Sequence, residues 1–130
     1  MILKVTDRNE LVKYNIEKAV QCSEDVEFLI KNKKLSLAVN RIYYGIFYIT
    51  TALAIKNGFS TSKHLQLISW FDKNFIKNNL LDKKFSKIYH RAYEDRSEAD
   101  YGTYIEFTEP EANKKYSEMK EFIIAIKALI

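Results

Sequence analysis

Apolar residues recur along most of the chain at spacings of three and four, the period of an amphipathic α-helix. The first predicted helix covers about residues 7–31. The second covers about residues 35–57 and is apolar nearly all round, so we expect it to be the central and most buried helix. An Asn57-Gly58 pair provides a good stop for this second helix.

Three further helices are predicted in the second half of the chain. The third is short and ends near a break at Asn78 and Asn79; its stripe comprises His64, Ile68, Phe71 and Phe75. The fourth begins near Asp82 and is followed by a loop over about residues 101–107. The fifth begins at residues 108–111, where a Thr cap, a Glu three positions later and a Pro in the first turn make a strong helix start.

Composition supports a single helical domain. Three Gly and one Pro among 130 residues are far too few for a turn-rich all-β fold. A chain with 47% hydrophobic and 29% charged residues has the balance of a folding globular protein. We therefore predict one domain over residues 1–130, an all-α, up-down bundle of four to five helices.

The chain shows no membrane, secretory or metal-binding pattern. Its most apolar window, residues 37–55, contains Asn40 and Arg41, and an arginine near the bilayer centre is unfavourable. We expect a buried bundle helix there, no secretory signal and a cytoplasmic protein. Cys22 is the only cysteine and the chain has two histidines, so we expect no disulfide, metal or other cofactor.

Charged residues interrupt the apolar stripe of the fourth helix. Continuing that stripe from Phe85 and Ile88 places Asp95 and Arg96 at core positions, where a charge must be paired or must line a cleft. Asp100 lies four residues after Arg96, so the two share a face. Two interpretations are open: a structural ion pair that closes one end of the bundle, or an arginine-containing cleft that binds phosphate or a nucleic-acid backbone.

The second helix has a similar interruption. Asn40 and Arg41 stand about one turn before Tyr44, within reach of its ring. The Arg41 guanidinium could stack on aromatic rings or pair with Asp100; alternatively, Asn40 and Arg41 only tie the second helix to the fourth. Gly45 inside this helix costs about 1 kcal/mol relative to Ala, which indicates that another helix approaches closely there.

The histidines and lysines carry weaker signals. His64 opens the third helix on its apolar stripe, which favours a hydrogen-bonded cap or core histidine, whereas His90 lies off the fourth stripe and should face water. The lysine groups at residues 31–34, 83–87 and 114–115 are expected to be mostly solvated. A net charge of +4 gives only a mild attraction for nucleic acid.

Three segments together resemble one known family. Residues 36–47 read Ser-Leu-Ala-Val-Asn-Arg-Ile-Tyr-Tyr-Gly-Ile-Phe and resemble the A-x-N-R-x-Y-Y-A-x-F helix of HEPN domains (higher eukaryotes and prokaryotes nucleotide-binding). His64 with Phe71 and Phe75 is similar to the third helix of that family. Residues 96–102, Arg-Ser-Glu-Ala-Asp-Tyr-Gly, resemble its R-x-x-A-D-Y-G signature.

The resemblance implies an all-α bundle of about five helices that forms a homodimer, with a cleft near Arg96. Many HEPN proteins are metal-independent ribonucleases, and many are toxins encoded beside a minimal nucleotidyltransferase antitoxin. Their nuclease motif is Arg, four to six residues, then His. In those enzymes the partner can adenylylate a tyrosine shortly after the His.

This chain departs from the nuclease motif. Tyr101 stands five residues after Arg96, where the motif has His, and no histidine follows His90. The tyrosine expected two residues after the motif His falls on Thr103, so Tyr104, one place further, is the candidate modification site. Both nuclease activity and tyrosine modification therefore lack part of their motif.

Cleavage of RNA without a metal needs a base for the 2′-hydroxyl and a charge stabiliser for the phosphate. Arg96 can be the stabiliser, but the base would have to be Asp100 or His64. Tyr101 is a poor base at neutral pH, because the pKa of a free tyrosine is about 10, but it can donate a hydrogen bond. The residues present therefore suit the binding of RNA better than its cleavage.

The sequence thus predicts a HEPN domain that interacts with RNA or nucleotide, as a homodimer beside a minimal nucleotidyltransferase partner. The predicted binding residues are Arg96, Asp100, Tyr101, Asn40, Arg41 and Tyr44. One alternative is an active ribonuclease toxin in which Asp100 or His64 replaces the missing histidine. The other is a non-catalytic structural interaction module in which Arg41, Arg96 and Asp100 form a buried network.

Overall fold

The computed structural model describes residues 5–100 and 106–130, with side chains over residues 7–96 and 106–130. Within this part of the chain the secondary structure is entirely helical, which confirms the all-α fold class. The helices are α1 (Val5–Lys31), α2 (Leu35–Lys56), α3 (His64–Phe71), α4 (Lys83–Asp100) and α5 (Glu109–Lys127). A π-helical turn, Asp72–Ile76, continues α3.

Helix α2 lies at the centre of the bundle and packs against α1, α5, α4 and α3. Its core side chains are fully buried, as the nearly continuous apolar run predicts; they include Tyr43, Ile46, Ile49 and Leu53. Burial of each large apolar side chain stabilises the folded state by about 1.5–3 kcal/mol. The other helices contribute single stripes to the same core, with Val26, Phe71, Tyr89 and Phe122 among the largest buried residues.

Gly45 marks the close approach that its position in α2 indicates. A Cβ atom built on Gly45 would lie 2.8 Å from Sδ of Met119 on α5 and 3.4 Å from Cβ of Cys22 on α1. Three helices therefore meet at this residue. The absence of a side chain on Gly45 lets α1 and α5 approach α2 from two sides.

The helix ends follow the local sequence signals. Gly58 has φ of +81°, the left-handed conformation that ends α2. Asn79 also has positive φ, 59°, at the predicted break before α4. At the start of α5, Thr108 Oγ1 accepts a hydrogen bond from the Glu111 backbone N–H, and Glu111 Oε1 accepts one from the Thr108 N–H, which confirms the predicted capping box.

One charged position on the core stripe of α4 is explained by an ion pair with α5. Lys115 Nζ lies 2.6 Å from Asp95 Oδ2, and both side chains are only 16% exposed. The expectation that residues 114–115 are both solvated was therefore wrong for Lys115, because Asp95 draws its ammonium group into the crevice between the two helices. Arg91 and Glu118 form a second, longer contact of 3.5 Å between α4 and α5.

None of the helices over residues 5–100 and 106–130 is long and apolar enough to cross a membrane.

Candidate phosphate-binding site

An open depression lies between the start of α3 and the C-terminal half of α4, with a volume of about 550 Å³. Its lining residues are Lys63, His64, Leu65, Gln66, Tyr93 and Arg96. We call it the Arg96 depression. Two of the sequence candidates, Arg96 and His64, come together here although 32 positions separate them along the chain.

Aromatic rings hold the Arg96 guanidinium in place. Its Cζ lies 5.2 Å from the ring centroid of Tyr43 on α2 and 5.3 Å from that of Tyr93 on α4. Tyr93 precedes Arg96 by three residues, so the helix itself brings this ring beside the guanidinium. Each cation–π contact contributes about 0.5–2 kcal/mol, depending on how far the groups are desolvated. Arg96 is 9% exposed and still contributes to the lining of the depression.

Tyr43 connects the three helices around the site. Its ring is fully buried, and its hydroxyl lies 2.5 Å from Nδ1 of His64 on α3. Burial raises the pKa of Tyr43 well above its usual value, while the positive charge of Arg96 partly opposes this shift. Tyr43 therefore keeps its proton at all physiological pH values. A phenol with its proton in place can donate a hydrogen bond to an unprotonated imidazole nitrogen.

The surroundings of His64 favour its neutral form. Burial lowers its pKa below the ordinary value of 6.5, and the positive charge of Arg96 lowers it further. The imidazole stacks on Phe47 with ring centroids 4.8 Å apart and lies 5.6 Å from the Tyr43 ring. His64 is thus a hydrogen-bonded, partly buried histidine, as its place on the apolar stripe predicts, and it also lines the depression.

The lowered pKa of His64 predicts a pH dependence of stability. Between the folded pKa and 6.5 the unfolded chain binds more protons than the folded chain, so the free energy of unfolding falls as pH drops through this range. Thermal melts of the wild type between about pH 7.5 and pH 5 should show this loss. In His64→Gln the decline should be shallower, and an equally steep decline in that variant would contradict the assignment.

Arg41 and Tyr44 lie next to the Arg96 depression. The Arg41 Cζ is 4.7 Å from the Tyr44 ring centroid, so stacking is the interpretation that the structure supports. Arg41 Nε and Nη2 also donate hydrogen bonds to Oδ1 of Asn40, at 3.2 and 3.0 Å. The Tyr44 ring meets the edge of His64 with centroids 6.1 Å apart, which joins these residues to the depression.

Other sequence candidates fall outside the described part of the chain. They are the side chain of Asp100 and residues Tyr101 and Tyr104. The pairing of Asp100 with Arg96 or Arg41, which was predicted from the i, i+4 spacing, therefore stays a prediction.

The sequence analysis did not identify four residues of the site as candidate functional residues. They are Tyr43, Lys63, Gln66 and Tyr93. The spacing of three between Tyr93 and Arg96 could have indicated a ring against the guanidinium. Nothing in the sequence brings Lys63 and Gln66 near Arg96, because that proximity depends on how α3 packs.

A second cluster of polar side chains surrounds Asp72, and its hydrogen bonds fit a structural role rather than a catalytic one. Ser86 Oγ donates to Asp72 Oδ1 at 2.8 Å, and His90 Nε2 lies 2.7 Å from Asp72 Oδ2. Ser86 is bonded to the carboxylate and not to the imidazole, so this is not the arrangement that activates a serine nucleophile. His90 is half-exposed, as expected. Over residues 7–96 and 106–130 no group of His, Cys, Asp and Glu side chains could hold a metal ion.

Comparison with known proteins agrees with the resemblance found in the sequence. The family model described as the HEPN domain matches residues 12–129. A UPF0332 protein of Thermotoga maritima is 35% identical over 126 residues, which cover 97% of this chain and 96% of that protein.

Two further relatives come from Methanocaldococcus jannaschii. "Putative toxin MJ0142" is 37% identical over 111 residues, covering 85% of this chain and 75% of the relative. "Putative toxin MJ0605" is 28% identical over 123 residues, covering 92% of this chain and 91% of the relative.

Proposed function

Because this chain belongs to the HEPN family, we propose that it acts as a toxin-like HEPN protein that binds RNA or a nucleotide through phosphate in the Arg96 depression. The observation that carries the proposal is the placement of Arg96 against two adjoining aromatic rings at the edge of an open depression that His64 and Lys63 also line.

The side chains of the depression suit a phosphate group. A guanidinium presents planar N–H donors that match the oxygens of a phosphate, and the adjoining rings of Tyr43 and Tyr93 limit its movement. Lys63 adds a second cation and Gln66 an amide donor in the same lining. The net charge of the chain, +4, also attracts polyanions at long range. The cations of the depression and the net charge therefore both favour an anionic ligand.

His64 is better placed to donate a hydrogen bond to a phosphate than to act as a general base. Since Tyr43 keeps its proton, its hydroxyl can donate to Nδ1 of His64, and the single proton of the neutral imidazole then lies on Nε2. An Nε2–H group donates to a phosphate oxygen but cannot accept a proton from a 2′-hydroxyl. This pairing therefore favours binding over general-base catalysis.

The proposal includes two partners that the resemblance implies. One is a second copy of this chain, and the other is a minimal nucleotidyltransferase that acts with it. Two relatives carry the name of putative toxin, and the resemblance implies that such toxins are often encoded beside a nucleotidyltransferase antitoxin. Tyr104 stays the candidate site of modification by such a partner.

A ribonuclease is the second candidate function, and one observation favours it. Arg96 and His64 line the same depression, so a charge stabiliser and a titratable imidazole can approach one phosphodiester. This function requires the other tautomer of His64, in which Nδ1–H donates to the Tyr43 oxygen and Nε2 is free to accept a proton. Asp100 is the other candidate base.

One incubation separates the two functions. Purified wild type and His64→Gln are each mixed with total RNA in EDTA, and both retention of RNA on a filter and its integrity on a gel are measured. We expect retention without cleavage, and a weaker retention by His64→Gln. Cleavage by the wild type that is lost in His64→Gln would instead establish the ribonuclease, and absence of both retention and cleavage would overturn the proposal.

A further inference from the structure

A row of tyrosines and cations leads away from the Arg96 depression along α1 and α2. It starts at Tyr44, whose ring meets His64 at the edge of the depression. We call it the aromatic track, and its members are Tyr44, Arg41, Tyr48, Lys18 and Tyr14. The first two were expected from the sequence to bind nucleotide, whereas the other three carry no assigned role.

The members of the aromatic track are in contact with one another. The rings of Tyr44 and Tyr48 have centroids 6.1 Å apart. Lys18 Nζ lies 5.1 Å from the Tyr48 ring centroid and 5.1 Å from that of Tyr14, so it bridges α2 and α1. Tyr14 is 52% exposed, and Tyr44 and Tyr48 are partly buried. The track is therefore continuous and reaches solvent.

The cations of the track differ from other cations of the bundle. Lys84, Arg91 and Lys115 all pair with carboxylates. Within the described side chains, no carboxylate lies within ion-pair distance of Arg41 or Lys18, and both instead lie over tyrosine rings. Among the described side chains, therefore, no carboxylate competes with an anionic ligand for either cation. A guanidinium that covers a ring also presents its outer face to a base.

We propose that the aromatic track binds further nucleotides of a single-stranded RNA, beyond the two that are joined by the phosphate held in the Arg96 depression. The inference rests on the proposed function and narrows its ligand, because a mononucleotide would need the depression alone. Alternating rings and unneutralised cations are the elements of sites for single strands, in which bases stack on aromatic side chains and cations follow the backbone. A duplex would hide its base faces from these rings.

The test compares uridine oligonucleotides of two lengths. Affinities of the wild type for diuridine and for an oligouridine of about eight nucleotides are measured by fluorescence anisotropy. We expect the longer strand to bind more tightly by at least about 10-fold. Tyr14→Leu/Tyr48→Leu should lose most of this gain and leave the affinity for diuridine unchanged. Tyr14→Phe/Tyr48→Phe should retain the gain, because phenyl rings still stack.

The chain provides a matched control on α5. Lys120 Nζ lies 4.3 Å from the Tyr116 ring centroid, the same kind of cation–π pair, but Tyr116 makes no ring contact with the track among the described residues. Tyr116→Leu should therefore leave both affinities unchanged. Lys18→Gln should lower the dependence of log affinity on log salt by about 0.7 for the longer strand, whereas Lys120→Gln should not.

The outcomes separate the two proposals. No binding of diuridine by the wild type would overturn the proposed function. If diuridine binds and the leucine variant keeps the full gain with length, only the aromatic track is overturned. A leucine variant that changes the oligomeric state while its RNA affinities stay those of the wild type would assign this face to a second copy of the chain and would likewise overturn the inference.

Discussion

Arg96→Gln should lower the affinity of this protein for RNA or nucleotide phosphate by about 10- to 100-fold. Hydrogen bonds to charged groups contribute about 1.5–3 kcal/mol each, and Gln can neither form a fork of donors nor carry the charge. Arg96→Lys should have an intermediate effect, because it keeps the charge without the planar fork. Isothermal calorimetry with diuridine measures the affinity of each variant.

Arg91→Gln is the matched control for Arg96→Gln. It removes an arginine from the same helix, but from a position paired with Glu118. The same change in net charge should leave the affinity within about 2-fold of the wild type, since an exposed charge acts on a ligand only through screened, long-range attraction. Equal losses in the two variants would show that net charge, and not the Arg96 depression, controls binding.

Gly45→Val should destabilise the protein by about 1–3 kcal/mol, the cost of forcing extra volume into a well-packed core. The added Cβ would lie 2.8 Å from Met119 Sδ and 3.4 Å from Cys22 Cβ, and valine adds two methyl groups beyond that crowded position. For a domain of this size, such a loss lowers the melting temperature by several degrees, and by roughly 10 °C at the upper end of this range. Thermal melts followed by circular dichroism measure it.

Gly45→Ala separates overpacking from backbone effects. The thioether of Met119 is flexible and can move away from one methyl group, and Ala gains about 1 kcal/mol of helix propensity over Gly. We expect a stability close to that of the wild type. If Gly45→Val were as stable as Gly45→Ala, the close approach of three helices at this residue would be wrong.

Stability and site are linked through Tyr43. Its ring is fully buried among the core aromatics, with Tyr89 6.4 Å and Phe47 6.1 Å away between centroids. The same ring lies beside the Arg96 guanidinium, and its hydroxyl holds His64. The position of the two candidate ligand groups therefore depends on the packing of the core, and their geometry is held by a rigid element rather than by a loop.

The sequence predicted the helices and the central place of α2 because these depend on local periodicity. A 3.6-residue period, an Asn-Gly stop and a Thr-Glu-Pro-Glu start each act over a few residues. The conflict between the charges of Asp95 and Arg96 and the apolar stripe of α4 was also visible locally. The structure resolves it in two ways, since Asp95 pairs with Lys115 and the Arg96 guanidinium lies against the rings of Tyr43 and Tyr93.

The residues that surround Arg96 in the site could not be predicted from the sequence in the same way. Lys63, Gln66 and Tyr93 line one depression only because α3 and α4 both pack against α2, and that arrangement is a result of packing between helices. The bridge from Tyr14 through Lys18 to Tyr48 has the same origin, since its two halves lie on α1 and α2. Residues that share a helix face can be predicted from spacing, whereas contacts between helices require the fold.

The most direct test of the Arg96 depression uses the two histidines of the chain. His64 lines the depression, and His90 lies on α4 beside Asp72, so one reports on the site and the other on the rest of the surface. Imidazole resonances of both are followed by NMR during titration with diuridine at several pH values. We expect the resonances of His64 to shift and its pKa to rise, because a bound phosphate favours the charged imidazole. The resonances of His90 should not move when diuridine is added. Binding of diuridine that leaves His64 unaffected would contradict the account.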